Sequence, residues 1–313
     1  MVAIKGALKI ENGVLVKCDE NFQGDLVIPN SVKEIEEGAF RYCSRLTSIN
    51  IPDSVTYIYR EAFADCSALT EIHVSEGNKV YDSRNNCNAI IETETNELVV
   101  GCANTVIPDS VTKIGSAAFK FCRGLKSVKI PDSVTIIWHE AFFDCQGLKS
   151  INIPDSVTEI WSEAFVECVG LTSINIPKSV TKIGVGAFNF CKGLKEIHVS
   201  KGNKVYDSRD NCNAIIETAT NKMVIGCENT VIPGSITKIG NDAFSAREGL
   251  KSINIPDSVT EIGANAFWGC RGLVSINIPD SVTKIGNYAF WDCKSLNSDV
   301  VAKIWKINAK AIG

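Results

Sequence analysis

The dipeptide Ile-Pro recurs along this chain with a spacing that limits the possible folds more than any other feature of the sequence. Each of the nine prolines follows an isoleucine, and most of these steps lie 23 residues apart. The repeated unit reads IPDSVTxIxxxAFxxCxxLxSIN. A unit this short cannot enclose its own apolar side chains, so successive units must stack in order to bury them. The repeat therefore predicts a solenoid. The isoleucines are Ile28, Ile51, Ile107, Ile130, Ile153, Ile176, Ile232, Ile255 and Ile278.

Each unit contains the signals of two strands separated by turns. Along LxSINIP the residues alternate, so Ile174 and Ile176 should point inward while Asn175 faces out. Proline at IPDS fixes φ at about −65° and favours a tight turn. VTxI predicts a second, shorter strand, and GxxAFxxC predicts one helical or 3-10 turn that directs Ala and Phe inward. We expect a right-handed, β-rich α/β solenoid.

Two steps are lengthened by inserted segments of nearly identical sequence. The spacing is longer from Ile51 to Ile107 and from Ile176 to Ile232, and the added text repeats at an offset of 125 residues. Within it, two short apolar runs flank a polar turn, which predicts a β-hairpin. We place the two hairpin units at about residues 74–106 and 199–231.

Both ends of the chain depart from the repeat, as capping segments do. Two apolar runs near the N-terminus flank a polar turn at residues 11–13, which predicts a hairpin. Near the C-terminus, Ser298 or Asp299 can cap a helix whose apolar residues, such as Val300 and Ile304, recur at helical spacing. The expected division is an N-terminal cap at 1–27, a repeat region at 28–297 and a C-terminal helical cap at 298–313.

The unit LxSIxIPxSVTxIGxxAFxxC resembles the BspA-like leucine-rich repeats of many bacteria and some protists, and the NAIIETxTNxLVVGC hairpin is similar to one found among them. The resemblance covers about residues 7–297. It implies a leucine-rich-repeat solenoid. Members of this family are mostly described as surface or secreted adhesion proteins that bind host or matrix proteins or other bacteria, so the resemblance implies such a role for this chain. It supplies no catalytic residue. A location at the cell surface is implied by this resemblance alone, because the opening residues MVAIKGALKIENG lack the apolar core of an export signal and no anchoring domain is visible.

Charge and motif content argue against several classes of function. The formal net charge of −4 gives no broad positive field for nucleic acid. There is no apolar run of the roughly 18 residues that membrane insertion needs. No phosphate-binding loop, dinucleotide fingerprint or nucleophile elbow occurs, and no cysteine and histidine spacing suits a metal. We expect a chain that is not an enzyme and needs no cofactor or metal.

Eight of the thirteen cysteines occupy one column of the repeat, which favours buried free thiols over a disulfide framework. Arg247 replaces the cysteine in one unit. The inserted segments are different, because Cys87 with Cys102, and Cys212 with Cys227, lie symmetrically about the hairpin turns. These pairs are either disulfides or free thiols within the core. The column consists of Cys43, Cys66, Cys122, Cys145, Cys168, Cys191, Cys270 and Cys293.

Aromatic residues gather in a few columns that vary on an otherwise uniform repeat. Such rings supply interface energy with little loss of conformational entropy, so the columns form a candidate partner-binding surface. The alternative is that the rings stack on their neighbours and cover the edge of the core. The candidate residues are Tyr42, Tyr59, Phe121, Trp138, Phe143, Trp161, Phe190, Trp268 and Trp291.

The outward-facing positions of the longer strand form a second candidate surface. Solenoids commonly bind on a concave sheet, and a polar ladder of serine and asparagine suits an extended chain such as a glycan. Its representative residues are Ser150, Asn152, Ser173, Asn175, Ser252 and Asn254. The leading hypothesis is a module that binds a protein. The alternatives are a glycan ligand on the strand face and a rigid spacer with no specific ligand.

Overall fold

The computed structural model describes residues 6–312, so the first five residues of the predicted N-terminal cap and Gly313 of the predicted C-terminal cap lie outside the described residues. The chain forms two compact units. The first contains the residues up to Cys168 together with Ile183–Ala187, and the second contains Val169–Lys182 together with the residues from Phe188 onward. Each unit is a β-solenoid built from short strands, which confirms the predicted fold class.

The strands follow the repeat in chain order. The first thirteen are β1 (Leu8–Glu11), β2 (Val14–Cys18), β3 (Gln23–Val27), β4 (Glu34–Ile35), β5 (Arg45–Ile51), β6 (Tyr57–Ile58), β7 (Glu71–Val74), β8 (Tyr81–Asp82), β9 (Ala89–Glu92), β10 (Glu97–Gly101), β11 (Lys113–Ile114), β12 (Ile136–Ile137) and β13 (Glu159–Ile160). The remaining strands are β14 (Ser173–Ile176), β15 (Lys182–Ile183), β16 (Glu196–Val199), β17 (Tyr206–Asp207), β18 (Ala214–Glu217), β19 (Lys222–Gly226), β20 (Lys238–Ile239), β21 (Ser252–Ile253), β22 (Glu261–Ile262), β23 (Ser275–Ile276) and β24 (Lys284–Ile285).

In each unit the strands form parallel rows. In the first unit, β3, β5 and β7 form the row of longer strands, and β2, β4 and β6 form a row of shorter strands. In the second unit, β14 pairs with β16 and β21 with β23, while β20, β22 and β24 form the shorter row. In part of the first unit the pairing of the longer row is reduced to an isolated parallel β-bridge between Lys129 and Asn152. Ile174 and Ile176 are buried and Asn175 is exposed, as the alternation predicts.

The inserted segments extend the row of shorter strands with antiparallel pairs. In the first unit β8 and β10 pair antiparallel with β9, and β10 pairs in parallel with β11 on its other side. In the second unit β17, β18, β19 and β20 repeat this arrangement. A short 3-10 segment precedes each hairpin, at Arg84–Asn86 and Arg209–Asn211. The inserts therefore enlarge the sheet without ending the stack of coils on either side of them.

The turn that follows the second strand differs from the expected helical or 3-10 turn. Within it each coil has two residues with positive φ, such as Glu140 (φ 55°) and Asp144 (φ 55°) in one coil. Positive φ interrupts a right-handed helix, so the segment is instead a pair of hydrogen-bonded turns. Between these two residues, Ala141 and Phe142 are directed into the core, as the sequence predicts.

Stacked phenylalanine rings form the centre of each core. In the first unit the ring centroids of Phe119 and Phe142 are 5.0 Å apart, and the planes are tilted by only 6°. In the second unit Phe244 and Phe267 stack at 5.0 Å. This distance is close to the strand spacing of about 4.8 Å, so one coil-to-coil repeat satisfies both the rings and the strands.

The cysteine column adds a second contact between coils. The thiol of Cys145 donates to the carbonyl oxygen of Phe119 at 3.1 Å, and the thiol of Cys168 donates to that of Phe142 at 3.1 Å. The same contact joins Cys270 to Phe244 in the second unit at 3.1 Å. Each thiol thus satisfies a buried carbonyl of the preceding coil, which explains why a small, weakly polar residue recurs at this position.

Helix α1 (Ser298–Ile307) and a 3-10 turn (Ala309–Ala311) follow the last coil. The residue that caps α1 is Asn297, whose side chain accepts from the backbone N–H of Val300 at 3.0 Å, so the predicted cap at Ser298 or Asp299 is wrong by one or two positions. Asparagine caps a helix as well as serine or aspartate does, and the sequence pattern does not separate the three adjacent residues. Ile304 is buried against the last coil, while the boundaries of the three predicted segments stay a prediction.

We expect Phe142→Ala to lower the free energy of unfolding by about 3–5 kcal/mol, because the ring is fully buried between two neighbours. Phe143→Ala is the matched control, since the adjacent ring is only half-buried. Denaturant unfolding followed by circular dichroism measures both. Equal losses for the two variants would contradict the role assigned to the ring stack.

Candidate partner-binding surface

Three of the candidate rings stand at the second positive-φ position of the turn, the residue before the cysteine. These are Tyr42 (φ 68°), Phe121 (φ 60°) and Phe190 (φ 58°). In other coils the same position holds residues such as Asp144 and Gly269. A left-handed conformation costs about 1–2 kcal/mol for an ordinary side chain, whereas glycine and aspartate adopt it more readily. The local backbone therefore does not select an aromatic residue here.

The candidate rings divide into exposed and half-buried groups. Tyr42, Tyr59 and Trp291 are 56%, 41% and 42% exposed. The other six are half-buried, which places part of each ring against the protein and part in solvent. These six are Phe121, Trp138, Phe143, Trp161, Phe190 and Trp268. Edge positions of this kind combine a supported ring with an accessible face.

Within the first unit the half-buried rings contact each other in pairs. The ring centroids of Trp138 and Trp161 are 4.7 Å apart, and His139 lies 4.8 Å from Trp161. Phe121 meets Phe143 edge to face at 5.5 Å. These contacts are the packing that the alternative interpretation predicts, and they also hold the rings in fixed orientations.

The second unit has its own two pairs. Phe190 meets Trp268 at 5.5 Å, and Trp291 meets Tyr288 at 5.5 Å, both edge to face. The sequence analysis missed Tyr288, which is 52% exposed and stands at the first positive-φ position of its coil. The signal was a tyrosine at a position that other coils fill with residues such as Glu140 or Asn265.

Ion pairs surround the rings of the first unit. The ammonium of Lys120 donates to Glu61 at 2.8 Å and to Glu140 at 2.5 Å, and it lies 5.0 Å from the centroid of Phe143. Burial lowers the pKa of Lys120, but hydrogen bonds to Glu140 and Glu61 outweigh this and raise it above its usual range. Arg123 pairs with Asp144 at 2.7 Å. The edge thus alternates aromatic faces with fixed charges.

The strand face is polar and mostly exposed. Ser150, Asn152, Asn175, Ser252 and Asn254 are exposed, as predicted for this face. Ser173 is half-buried. Not every amide of this row is available, because in the last coils Asn277 hydrogen-bonds both the N–H and the carbonyl of Ile255 at 2.7 Å.

A shallow groove of about 620 Å³ lies on the strand face of the first unit. Ser150 and Asn152 line it on one side, and the end of the inserted segment lines it on the other, through Asn85 and Val106. Val106 is strongly exposed. The groove is a candidate site for a ligand on the strand face.

All thirteen cysteines are free thiols in the structure, including the two pairs in the inserts. The thiol of Cys102 donates to the carbonyl of Asn88 at 3.2 Å, and that of Cys87 donates to Ala89 at 3.7 Å. Burial raises the pKa of Cys87 and of Cys212 to about 11. At neutral pH these thiols are protonated, so they do not react readily as nucleophiles.

The sequence matches the family described as BspA type leucine rich repeat region over residues 9–99, 98–216 and 214–312. These ranges cover nearly the whole chain. The chain belongs to the BspA-type leucine-rich repeat family. The resemblance noted from the repeat is thereby confirmed.

Solved structures share the BspA-type fold. A leucine rich cell surface protein from Faecalibacterium prausnitzii is 27% identical, with a TM-score of 0.61 over 95% of this chain and 81% of that one. A leucine-rich repeat protein from Eubacterium ventriosum is 24% identical, with a TM-score of 0.58; the match covers 87% of this chain and 64% of that one. The pneumococcal vaccine antigen PcpA is 19% identical, with a TM-score of 0.58 over 92% of this chain and 77% of that one. The last two likenesses show the fold alone. A search of curated proteins found no match.

Two absences apply to the part of this BspA-type chain that the structure describes. Residues 6–312 contain no helix that is both long and apolar enough to span a bilayer. The same residues bring together no group of three histidine, cysteine, aspartate or glutamate side chains that could hold a metal ion.

We expect Tyr42→Asp and Phe121→Asp to leave the free energy of unfolding within about 1 kcal/mol of the parent chain, since loss of ring contact is offset by relief of the left-handed conformation. Aspartate is the residue that Asp65 and Asp144 supply at the equivalent position. Denaturant midpoints measure this. A loss as large as that of Phe142→Ala would show that these rings are part of the core.

We also expect every cysteine of the BspA-type repeats and inserts to react with iodoacetamide in denaturant without reductant, because each insert thiol donates to a backbone carbonyl. Intact mass counts the alkyl groups. Each disulfide would remove two of them, and peptide mapping would locate the loss. A missing pair at Cys87 and Cys102 would reverse the assignment.

Proposed function

We propose that this chain is a non-catalytic protein-binding or adhesion module, and that its partner docks on the aromatic edge. This edge consists of the candidate rings Tyr42, Tyr59, Phe121, Trp138, Phe143, Trp161, Phe190, Trp268 and Trp291. Membership of the BspA-type repeat family supports the general class of function, a protein-interaction or adhesion-type module. The likeness to a leucine rich cell surface protein supports display at the cell surface.

The observation that carries the proposal is the placement of rings where the backbone disfavours them. Tyr42, Phe121 and Phe190 occupy positive-φ positions that other coils fill with smaller or polar residues, namely Asp65, Asp144, Glu167, Ala246, Gly269 and Asp292. Strained positions of this kind are grounds for a hypothesis of function. The rings are also pre-oriented by their neighbours, and rigid aromatic anchors lose little entropy on binding.

The charges beside the rings are suited to selecting one protein partner over another more than to raising the affinity for that partner. Lys120 and Arg123 lie within 5.6 Å of the Phe121 ring and are already paired with carboxylates. A partner must match this pattern or leave buried charges unpaired, which disfavours the wrong partner. The edge therefore combines an apolar anchor with a charge pattern that a partner has to match.

The strand-face groove supports a second candidate, a glycan ligand. Ser150 and Asn152 present hydroxyl and amide groups beside the exposed Val106, and sugars bind to such mixtures of polar and apolar surface. A rigid spacer without a ligand is the third possibility. The experiment below separates all three.

We expect simultaneous substitution of Trp138, Trp161, Trp268 and Trp291 by serine to abolish capture of a protein partner from host-matrix or bacterial-surface extracts. Immobilised parent chain and variant are compared, and retained proteins are identified by mass spectrometry. Melting temperature is measured on both, and it should change little, because the rings stand at the edge of the core.

The other outcomes are equally specific. Equal capture by the variant would reject the four tryptophans as docking residues, and equal capture by a second variant with Tyr42, Phe121 and Phe190 changed to aspartate would reject the aromatic edge as a whole. Retention of a glycan that Asn152→Ala abolishes would move the site to the strand face. No retained partner, together with ordered self-association in light scattering, would favour the spacer. A collapse of the melting temperature would show that the tryptophans serve packing.

A further inference from the structure

The coil that follows the first inserted segment and the coil that follows the second differ in one residue of the cysteine column. Because the inserts repeat at an offset of 125 residues, Cys122 in the first unit corresponds to Arg247 in the second. Arg247 is 2% exposed and is among the largest fully buried side chains in the part of the chain that the structure describes. A buried guanidinium in a column of cysteines calls for an explanation in terms of its surroundings.

Backbone carbonyls of three residues outside its own turn hold the Arg247 guanidinium, which also donates to the carbonyl of Ser245 at 3.5 Å. Its Nε donates to Gly226 at 3.0 Å, and its two Nη atoms donate to Cys191 at 3.0 Å and to Phe188 at 3.3 Å. Burial lowers the pKa of Arg247, yet arginine stays charged in proteins. A buried charge is tolerated only where it is well solvated by hydrogen bonds, so these carbonyls form a site suited to a guanidinium.

The insert itself creates this need for a donor. In an uninterrupted stack, the phenylalanine carbonyl accepts the thiol of the next coil, as Phe119 accepts from Cys145. The insert interrupts that contact, and Phe188 accepts from Arg247 instead. The longer side chain spans the gap that the inserted segment leaves between coils.

The first unit has the same gap and no side chain that fills it. A cavity of about 270 Å³ lies here, lined by Phe63, Cys66, Gly101 and Cys122. Phe63, Cys66 and Gly101 are the counterparts of the three residues that hold Arg247. Phe63 and Cys66 are each 8% exposed, whereas their counterparts in the second unit are 0% exposed.

The carbonyl acceptors of this cavity are under-used among the described residues. The oxygen of Phe63 accepts only a long backbone bond from Cys66 at 3.4 Å, and that of Cys66 accepts from Leu69 at 3.0 Å. Burial raises the pKa of Cys122 to about 12, so its thiol is neutral at pH 7. The cavity thus offers acceptors without a competing thiolate.

The charge around the cavity suits a cation. Three carboxylates line it, and of these Glu61 is already paired with Arg41 and Lys120. The carboxylates of Glu92 and Glu97 remain, against the guanidinium of Arg60. The ammonium of Lys120 is held by carboxylates. Glu97 corresponds to a lysine in the second unit, so this acidic character belongs to the unfilled copy.

The volume of the cavity and the aromatic rings in its lining suit a planar group. A volume of 270 Å³ would hold several waters of about 30 Å³ each, and it is below the roughly 300–1,000 Å³ of pockets for drug-sized ligands. Tyr59 and Phe121 lie at its lining, where the second unit has Gly184 and Ala246. Guanidinium groups stack well on such aromatic faces.

We propose that this cavity binds a guanidinium group from outside the chain, with the carbonyls of Phe63, Cys66 and Gly101 as acceptors in the manner of the Arg247 site. The source is either an arginine side chain of a protein partner or a small guanidinium compound. This inference goes beyond the protein-binding proposal and does not depend on the four tryptophans tested there.

Methylguanidinium chloride is the probe for isothermal titration calorimetry. We expect saturable binding of one equivalent to the parent chain, no binding of the neutral isostere methylurea, and complete loss of binding in Cys122→Arg, which reproduces the second unit. Cys122→Ala is the matched control that keeps the cavity open and should still bind. Cys122→Leu fills the cavity without charge and serves if the arginine variant does not fold.

Two further arms separate the sources. A peptide Gly-Gly-Arg-Gly-Gly that binds at least as tightly as methylguanidinium, while its lysine counterpart binds at least tenfold more weakly, identifies an arginine side chain. Binding of agmatine with exclusion of the peptide identifies a small compound. Absence of saturable methylguanidinium binding, or equal binding to Cys122→Arg, would overturn the proposal. Either result leaves partner capture by the tryptophan edge unaffected, so the two proposals fail separately.

Discussion

Each coil of this protein depends on its neighbour for the burial of one phenylalanine ring. A ring such as Phe142 has ring neighbours at 5.0 Å and 5.2 Å, and the cysteine beside it donates to the carbonyl of the previous ring residue. The ring stack adds apolar contact between coils to that of the buried isoleucine, valine and leucine side chains, and the thiol donates to a carbonyl that the stack hides from water. Neither contact exists within a single coil. Stability is therefore a property of neighbouring pairs of coils, as in other repeat proteins.

This dependence separates the positions that must be constant from those that are free to vary. The alanine and phenylalanine between the two positive-φ residues are fixed by the core, whereas the second positive-φ residue ranges from exposed, as at Tyr42, to buried, as at Asp144. Tyr42 and Asp144 are alternatives at one such position. A chain under no other constraint would place glycine, asparagine or aspartate there. The local backbone does not explain the aromatic residues at this position, nor does it explain Glu167 and Ala246 in other coils.

The sequence predicted the solenoid because the Ile-Pro step and the phenylalanine recur with one period. It did not predict the turn geometry, since positive φ falls on residues such as Glu140 and Phe121 that have no preference for it. The stack imposes that conformation, and no local signal reports it. Most of the aromatic edge was visible as variable columns, but Tyr288 was missed because it stands one column away. The cavity could not be predicted at all, because it is defined by the shortness of one side chain.

The inserts show how a repeat acquires a site without a change of fold. Each insert keeps the sheet continuous through strands such as β10 and β11, but it interrupts the contact between a thiol and a carbonyl on the opposite side of the coil. That interruption leaves an acceptor that the protein must satisfy from elsewhere. In the second unit Arg247 satisfies it from within the chain. In the first unit Cys122 is too short to do so, and Phe63, Cys66 and Gly101 line a cavity together with Tyr59 and Phe121. The same interruption is thus filled by Arg247 in one copy, whereas in the other it leaves a cavity whose lining includes Tyr59 and Phe121.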